Sequence, residues 1–130
     1  MQKFGSAPRF RELFALSPMA ISITTVKDGR FIDVNDHFLR RFGYTREEVI
    51  GKTAHELNMW QELENRPDFV RALKERPLGK WEHTYRARSG EIRHATAWSQ
   101  VVEVEDEPCL LAFSEDITDA KLAQSEREEL

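Results

Sequence analysis

The spacing of hydrophobic residues indicates a helix first and alternating strands next. Three apolar residues near the N-terminus recur at helical spacing and predict a short amphipathic helix: Phe10, Leu13 and Phe14. Residues 20–24 and 31–34 alternate between apolar and polar, and Gly29 lies in the turn between them. Two alternating runs around a glycine-containing turn predict a β-hairpin.

Short helices with recognisable ends follow this hairpin. Asn35 is a good N-cap, and Gly43 can end a helix over residues 36–42. Residues 45–48 read Thr-Arg-Glu-Glu, which fits the capping box at the start of a second short helix. A longer helix is predicted over about residues 66–76.

From Gly79 onward the hydrophobic period changes to two. Three long strands are predicted in a meander: Trp81–Arg88, Ile92–Val104 and Cys109–Ile117. A charged helix begins at about Thr118, and it has so few apolar residues that we expect it to continue into a further segment. Strands on both sides of a helical block predict the α+β class, with an antiparallel sheet and helices on one face.

Composition limits the class of protein. A chain of 130 residues that is 40% hydrophobic suffices for one packed domain and excludes global disorder. The single cysteine excludes a disulfide framework and a cysteine-based zinc or iron–sulfur site within this chain. No apolar run approaches the roughly 18 residues of a membrane span, and the N-terminus lacks a signal-peptide pattern. We therefore expect a cytoplasmic domain without membrane contact.

The net charge of −4 is concentrated at the C-terminus. Residues 115–130 hold six acidic and two basic residues, so residues 1–114 are balanced. A balanced domain offers no electrostatic surface for nucleic acid, and we expect no such partner.

Four short stretches in this order resemble the PAS domain, the sensory module of bacterial signalling proteins. They are Ile32-Asp33-Val34-Asn35, the run from Gly43 to Lys52, Arg88 to Arg93, and Asp116-Ile117-Thr118. The resemblance covers about residues 8–120. It implies the PAS fold: a five-stranded antiparallel sheet, a block of short helices on one face, an N-terminal amphipathic helix and a C-terminal exit helix. The expected divisions are a capping helix at 1–17, the PAS core at 18–118 and the start of a linker helix at 119–130.

The resemblance also implies a function. We expect a non-catalytic sensory and dimerisation domain that regulates a C-terminal output domain in the same polypeptide, either a histidine kinase or a diguanylate cyclase. In PAS proteins the joint that corresponds to Asp116, Ile117 and Thr118 transmits changes in the sheet to the exit helix. A plainer role is open for the same residues, because Asp116 and Thr118 can also cap that helix.

A ligand pocket is expected between the sheet and the helical block, as in other PAS domains. Its candidate lining is Ile23, Val34, Phe38, Phe42, Leu57, Trp60, Phe69, His83, Tyr85, Ala97 and Ser114. The small residues leave space, whereas His83, Tyr85 and Ser114 could orient a polar group. The alternative is that the aromatic rings fill the space themselves.

The other face of the sheet is expected to be apolar and to need a cover. The dimer or cap residues are Phe10, Phe14, Trp98 and Phe113. The N-terminal helix can cover this face in its own subunit or in a neighbour, which predicts a symmetric homodimer.

No cofactor is firmly implied. Ala54 stands where light-sensing relatives carry the cysteine that forms a flavin adduct, and the predicted helix at 66–76 lacks the histidine that haem-binding relatives supply. His37 is expected to face solvent. The rival hypothesis is a stand-alone α+β isomerase or hydrolase with an Asp/His pocket base, for example Asp33 with His94.

Overall fold

The computed structural model describes residues 2–3, 8–59 and 79–129. The predicted helix at 66–76 and the candidates Trp60 and Phe69 lie outside these residues, as does the side chain of Phe10. The described helices are α1 (Pro8–Leu16), α2 (Asp36–Phe42), α3 (Arg46–Val49) and α4 (Thr118–Glu129). The described strands are β1 (Gln2–Lys3), β2 (Ala20–Thr25), β3 (Phe31–Val34), β4 (Gly79–Arg86), β5 (Ile92–Val104) and β6 (Glu107–Asp116).

The described strands form one sheet in the order β1-β5-β6-β2-β3, with β4 also paired to β5. Five of them, β2 to β6, pair antiparallel, which confirms the predicted PAS sheet and the α+β class. The short strand β1 adds a parallel pairing to β5 at Val102 and Glu103. Two residues carry no detectable period, so the sequence did not predict β1.

The predicted ends of α2 and the predicted start of α3 are confirmed. The Asn35 side chain accepts from the Phe38 amide, and Gly43 ends α2 in the left-handed region at φ 86°. Thr45 and Glu48 form the reciprocal capping box of α3. The chain therefore turns sharply on both sides of these short helices.

Asn35 does more than cap α2. It is 1% exposed, and its Oδ1 accepts from the Ile21 amide at 3.0 Å as well as from Phe38. Its Nδ2 donates to the carbonyls of Phe14 and Met19, both at 2.9 Å. One buried amide thus joins α1, β2 and α2.

Two apolar clusters lie on opposite faces of the sheet. The inner face, covered by α2 and α3, holds Ala20, Phe31, Val34, Phe38, Phe42, Val49, Met59, Tyr85 and Ala95. The outer face, covered by α1, holds Phe14, Ile21, Ile23, Val102, Cys109 and Leu111. Within this chain the inner face is therefore covered by α2 and α3, and the outer face is covered in part by α1.

Candidate functional site

Four of the predicted pocket residues meet in the inner-face core: Val34, Phe38, Phe42 and Tyr85. The Phe42 ring stacks on Phe38 with centroids 4.3 Å apart and contacts Tyr85 at 4.6 Å. Leu57 packs against the same core and is half-buried. The aromatic rings therefore contact one another across the space between α2 and β4.

Ile23 does not belong to this group, and its assignment to the pocket was wrong. Val34 pairs with Ser22, not with Ile23, and cross-strand partners share a face of the sheet. Ile23 pairs with Leu111 and packs on the outer face with Phe14. Alternation shows that β2 has two faces, but only the register shows which one α2 covers.

The remaining pocket candidates lie on neighbouring strands of the inner face. Ala97 on β5 is buried and pairs with Ser114 on β6. His83 on β4 pairs with Ala95, which lies two residues before Ala97 on β5. Arg41 enters the space that these small residues leave: its Nη1 lies 3.1 Å from the Ser114 hydroxyl oxygen. Part of the room expected for a ligand is thus taken by a guanidinium group.

The sequence reasoning missed Arg41, although its position carried a signal. Arg41 lies three residues after Phe38 and just before Phe42, so it flanks the buried face of α2. Its Nη2 lies 3.1 Å from Nε2 of His37. Burial lowers the pKa of Arg41, and the nearby Tyr85 and Asp116 oppose that shift.

The two histidines beside Arg41 are held neutral. Burial, with the Arg41 charge, lowers the pKa of His83 to about 4. Burial also lowers the pKa of His37, and Arg41 and Arg40 add to the effect. The expectation that His37 faces solvent was wrong, because its ring is half-buried against Arg41.

Asp116 is the centre of a charged network at the end of β6. It accepts from Arg93 Nε at 2.6 Å and from the Tyr85 hydroxyl at 2.5 Å through Oδ2. Its Oδ1 accepts from the Thr118 amide at 2.9 Å. One carboxylate therefore contacts β4, β5 and the first turn of α4.

These bonds fix the charge states in the network. Burial by itself raises the pKa of Asp116, but the bonds from Arg93, Tyr85 and Thr118 outweigh it and hold the pKa well below its usual range. The hydrogen bond to Asp116 raises the pKa of Arg93, and burial together with the carboxylate raises that of Tyr85. Asp116 is anionic and Arg93 is cationic throughout the physiological range.

Thr118 and Ile117 complete the connection from β5 to α4. The Thr118 hydroxyl oxygen accepts from the His94 amide at 3.0 Å, and the Ile117 amide donates to the His94 carbonyl at 2.9 Å. The joint predicted from Asp116-Ile117-Thr118 is therefore bonded to β5 by backbone and side chains.

A groove of about 530 Å³ opens beside this network, between α2, the β4–β5 turn and the start of α4. Its lining includes three arginines, one histidine and three acids: Arg40, Arg41, Arg93, His37, Glu91, Asp116 and Asp119. Ala87 and Ser89 of the turn complete it.

The predicted dimer or cap residues share the outer face. Phe14 is 9% exposed in the α1-covered cluster, and Phe113 packs against that cluster. Trp98 pairs with Phe113 across β5 and β6 and is half-buried, with the Lys80 ammonium 5.7 Å from its ring centroid. Within the chain, α1 covers part of the face through Phe14.

Asp33 and His94 do not form the pair that the enzyme hypothesis needs. Asp33 lies on β3 and His94 on β5, with β6 and β2 between them, which separates the strands by about 14 Å. Asp33 binds Arg46 at 2.7 Å, and His94 is exposed beside Thr118. Among the described residues, no group of three His, Cys, Asp or Glu side chains could hold a metal ion.

Residues 18–119 match a family model described as PAS domain. The chain belongs to the PAS family. PAS domains are sensory modules, generally without catalytic activity of their own, and this fits the bonded joint between the sheet and α4. No curated protein matches the chain. None of the described helices has the length and apolar character needed to cross a membrane.

Solved PAS structures share the fold. A PAS domain of an HTR-like protein from Haloarcula marismortui is 27% identical, with a TM-score of 0.74 over 84% of this chain and 89% of that one. A PAS domain from a two-component sensor histidine kinase is 18% identical, with a TM-score of 0.67 over 83% and 94%. A PAS domain of a LuxR-family regulator from Burkholderia thailandensis, in complex with ethanol, is 16% identical, with a TM-score of 0.68 over 83% and 96%.

Proposed function

We propose that this PAS domain is a non-catalytic sensor that passes changes in its sheet to the exit helix α4 through Asp116, Ile117 and Thr118. The single observation that carries the proposal is the bonding of Asp116, which contacts Tyr85, Arg93 and the Thr118 amide at once. A displacement of β4 or β5 must stretch or break one of these bonds. Because charge-assisted hydrogen bonds are short and strong, α4 is coupled to that displacement.

The inner face is where a stimulus would act. Tyr85 belongs both to the aromatic core and to the Asp116 network, so a change in the packing of Phe42 reaches the joint through one side chain. A small ligand or a change in dimer geometry could supply that change. The ethanol complex of the Burkholderia thailandensis relative supports a small ligand as the stimulus, although no ligand is identified for this chain.

The output is proposed to be a C-terminal domain of the same polypeptide, a histidine kinase or a diguanylate cyclase, in a cytoplasmic bacterial signalling protein. The PAS domain of a sensor histidine kinase among the structural relatives supports this context. The helix α4 is almost entirely exposed, and Leu122 is 58% exposed. An exposed helix of this kind needs a partner to persist.

A homodimer through the outer face is proposed with it. Trp98 and Phe113 lie side by side there, and α1 carries the exposed residues Leu13 and Leu16 at 66% and 82%. Apolar side chains on both the sheet and its covering helix favour a symmetric contact.

Spin labels next to α3 and on α4 test the proposed coupling between the domain and its exit helix. Spin labels on Lys52→Cys and Leu122→Cys report the distance between the helical layer and the exit helix, and dilution with unlabelled chain removes the distances between subunits of a dimer. The native Cys109 is buried, and burial raises the pKa of its thiol, so labelling is directed to the introduced cysteines. Asp116→Asn is expected to shift or broaden the distance distribution, and the control Glu47→Gln, at an exposed residue of α3, is expected to leave it unchanged. Identical distributions in all three proteins would refute the proposed coupling.

Sedimentation tests the dimer separately. Trp98→Glu is expected to convert a dimer to a monomer, whereas Lys52→Glu, on the opposite layer, is expected to keep the dimer. A dimer that survives Trp98→Glu excludes this face, and native mass spectrometry of the same samples shows whether a ligand copurifies.

A further inference from the structure

We infer that the groove between α2, the β4–β5 turn and α4 binds a small oxyanion, a carboxylate or a phosphate, through Arg40 and Arg41. The inference rests on the proposed sensory function only for its regulatory consequence. The binding itself rests on the charges, partners and burial of the groove residues.

Arg41 is the anchor because its guanidinium is half-buried and lacks an acidic partner among the described residues. Its hydrogen-bond partners among the described residues are neutral: the Ser114 hydroxyl and Nε2 of His37, each at 3.1 Å. Since Arg41 donates to Nε2, the imidazole carries its proton on Nδ1 and adds no charge. A buried cation is usually paired with an anion, and a planar guanidinium fits carboxylate and phosphate oxygens in a two-pronged geometry.

Arg40 supplies a second cation at the solvent side of the same groove. It is exposed and forms no ion pair with any described residue. Successive residues of one helix thus offer two guanidinium groups to the same space at different depths. This arrangement suits an anion that enters from solvent and is held more deeply by Arg41.

Among the described residues, no acid of the groove forms an ion pair with Arg40 or Arg41. Arg93 binds both Asp116 and Glu91, so these three groups together keep one negative charge, and Asp116 also opposes the effect of burial, which lowers the pKa of Arg41. Asp119 forms no ion pair with the described residues, and it adds a further negative charge that opposes an incoming anion. The volume of about 530 Å³ lies within the range of small-molecule sites.

The groove also adjoins the signalling joint. Asp116 lies two residues before α4 and Asp119 is the second residue of α4, and both line the groove. An anion beside them changes the local field at the end of β6 and at the first turn of α4. The ligand would thereby reach the output helix without entering the aromatic core.

Titration of the whole chain with two probes tests the inference. Inorganic phosphate and succinate are each titrated at constant ionic strength set by chloride, with calorimetry for the dissociation constant and amide NMR shifts for the location. Binding by either probe is expected to shift amides of α2 and of residues 87–91. Whether phosphate alone, succinate alone or both bind shows which kind of oxyanion the groove accepts.

Four variants sharpen the result. Arg41→Gln is expected to weaken binding at least about tenfold, and Arg40→Gln by about two- to fivefold because that side chain is exposed. Asp119→Asn is expected to tighten binding by about two- to threefold, because it removes one of the opposing negative charges. Arg11→Gln, on the exposed side of α1, is the matched control and is expected to bind as the native chain does.

Two results overturn the inference: neither probe binds above the chloride background, or the affinity is the same in Arg41→Gln and Arg11→Gln. If Arg41→Gln fails to fold, the opposite effects expected for Arg40→Gln and Asp119→Asn still decide the question. Binding without any response of α4 refutes the proposed signalling and leaves the anion site standing. If Asp116→Asn alters α4 but neither probe binds, the anion site is refuted and the proposed signalling stands.

Discussion

The Tyr85 hydroxyl donates a hydrogen bond of 2.5 Å to Oδ2 of Asp116. Tyr85 is fully buried among the inner-face rings, and Asp116 ends β6 two residues before Thr118, the first residue of α4. The residues are 31 positions apart in the sequence. This bond connects the aromatic core to the residues that precede α4, and it makes Asp116 the first residue to test.

Asp116→Asn is expected to lower the free energy of unfolding by about 1.5–3 kcal/mol, because it weakens four hydrogen bonds and leaves Arg93 without its more buried carboxylate partner. Urea denaturation measures the loss. Glu91→Gln removes the more exposed partner of the same arginine, so its expected cost is below about 1 kcal/mol. Equal losses in the two variants would show that the network at Asp116 has no special stability.

Asn35→Ala is expected to cost about 2–4 kcal/mol, because it removes a buried side chain that makes four hydrogen bonds. Asn35→Ser keeps an N-cap for α2 but does not reach the carbonyls of Phe14 and Met19, so an intermediate loss is expected. Thr45→Ala, at the exposed cap of α3, is the control at about 1 kcal/mol. If Asn35→Ala lowers the free energy of unfolding no more than Thr45→Ala does, the Asn35 side chain does not stabilise the junction of α1, β2 and α2.

His83 makes stability depend on pH. Its pKa is about 4 in the folded chain, against an unfolded value of about 6.5, so the unfolded state binds more protons between these values. Stability is therefore expected to fall as the pH drops from about 6.5 to 4, by up to about 3 kcal/mol. Asp116 has a lowered pKa, and its contribution is lost only at more acidic pH, below about 4.

Urea denaturation of His83→Gln between pH 7 and 4.5 checks the effect. The slope of stability against pH is expected to flatten in this variant. His37→Gln removes a less deeply buried histidine whose pKa is also lowered, so a smaller flattening is expected. An unchanged slope in His83→Gln would show that the ring is not desolvated in solution.

Substitutions at Gly43 and Gly51 test whether the left-handed backbone conformation by itself lowers stability when alanine replaces glycine. Both have φ above +80°, but a Cβ at Gly51 meets nothing within 4 Å, whereas at Gly43 it meets Arg88 Cβ at 3.4 Å. Each change to alanine is expected to cost about 1–2 kcal/mol, because left-handed backbone is strained in alanine. Gly51→Asn is expected to cost less than Gly51→Ala, since asparagine tolerates this region. Thermal unfolding measures all three, and a neutral Gly51→Ala contradicts the prediction.

Much of the fold could be predicted because its signals are local. The cap at Asn35, the capping box at Thr45 and the end of α2 at Gly43 each depend on a few adjacent residues. The periods of the strands likewise identified the β4–β6 meander within a few residues. Such signals persist in the sequence because neighbouring residues determine the helix ends and turns.

The candidate site was predicted less well, because its parts meet across the sheet. Arg93 and Asp116 are 23 positions apart, and Arg41 and Ser114 are 73 apart. Whether Arg41 reaches Ser114 depends on the separation of α2 from β6, which no local pattern contains. The face of Ile23 depended on the same kind of information, since its register with Leu111 decides it.

The sequence by itself determined that this chain is a PAS domain, with short capped helices, an antiparallel meander and a joint at Asp116-Ile117-Thr118. Only the tertiary structure decided that Arg41 lies half-buried with neutral partners, that Asp116 binds Tyr85 and Arg93, and that a charged groove opens beside them. The physical reason is range: caps and periods arise between neighbours along the chain, whereas burial and charge pairing arise between elements that folding brings together.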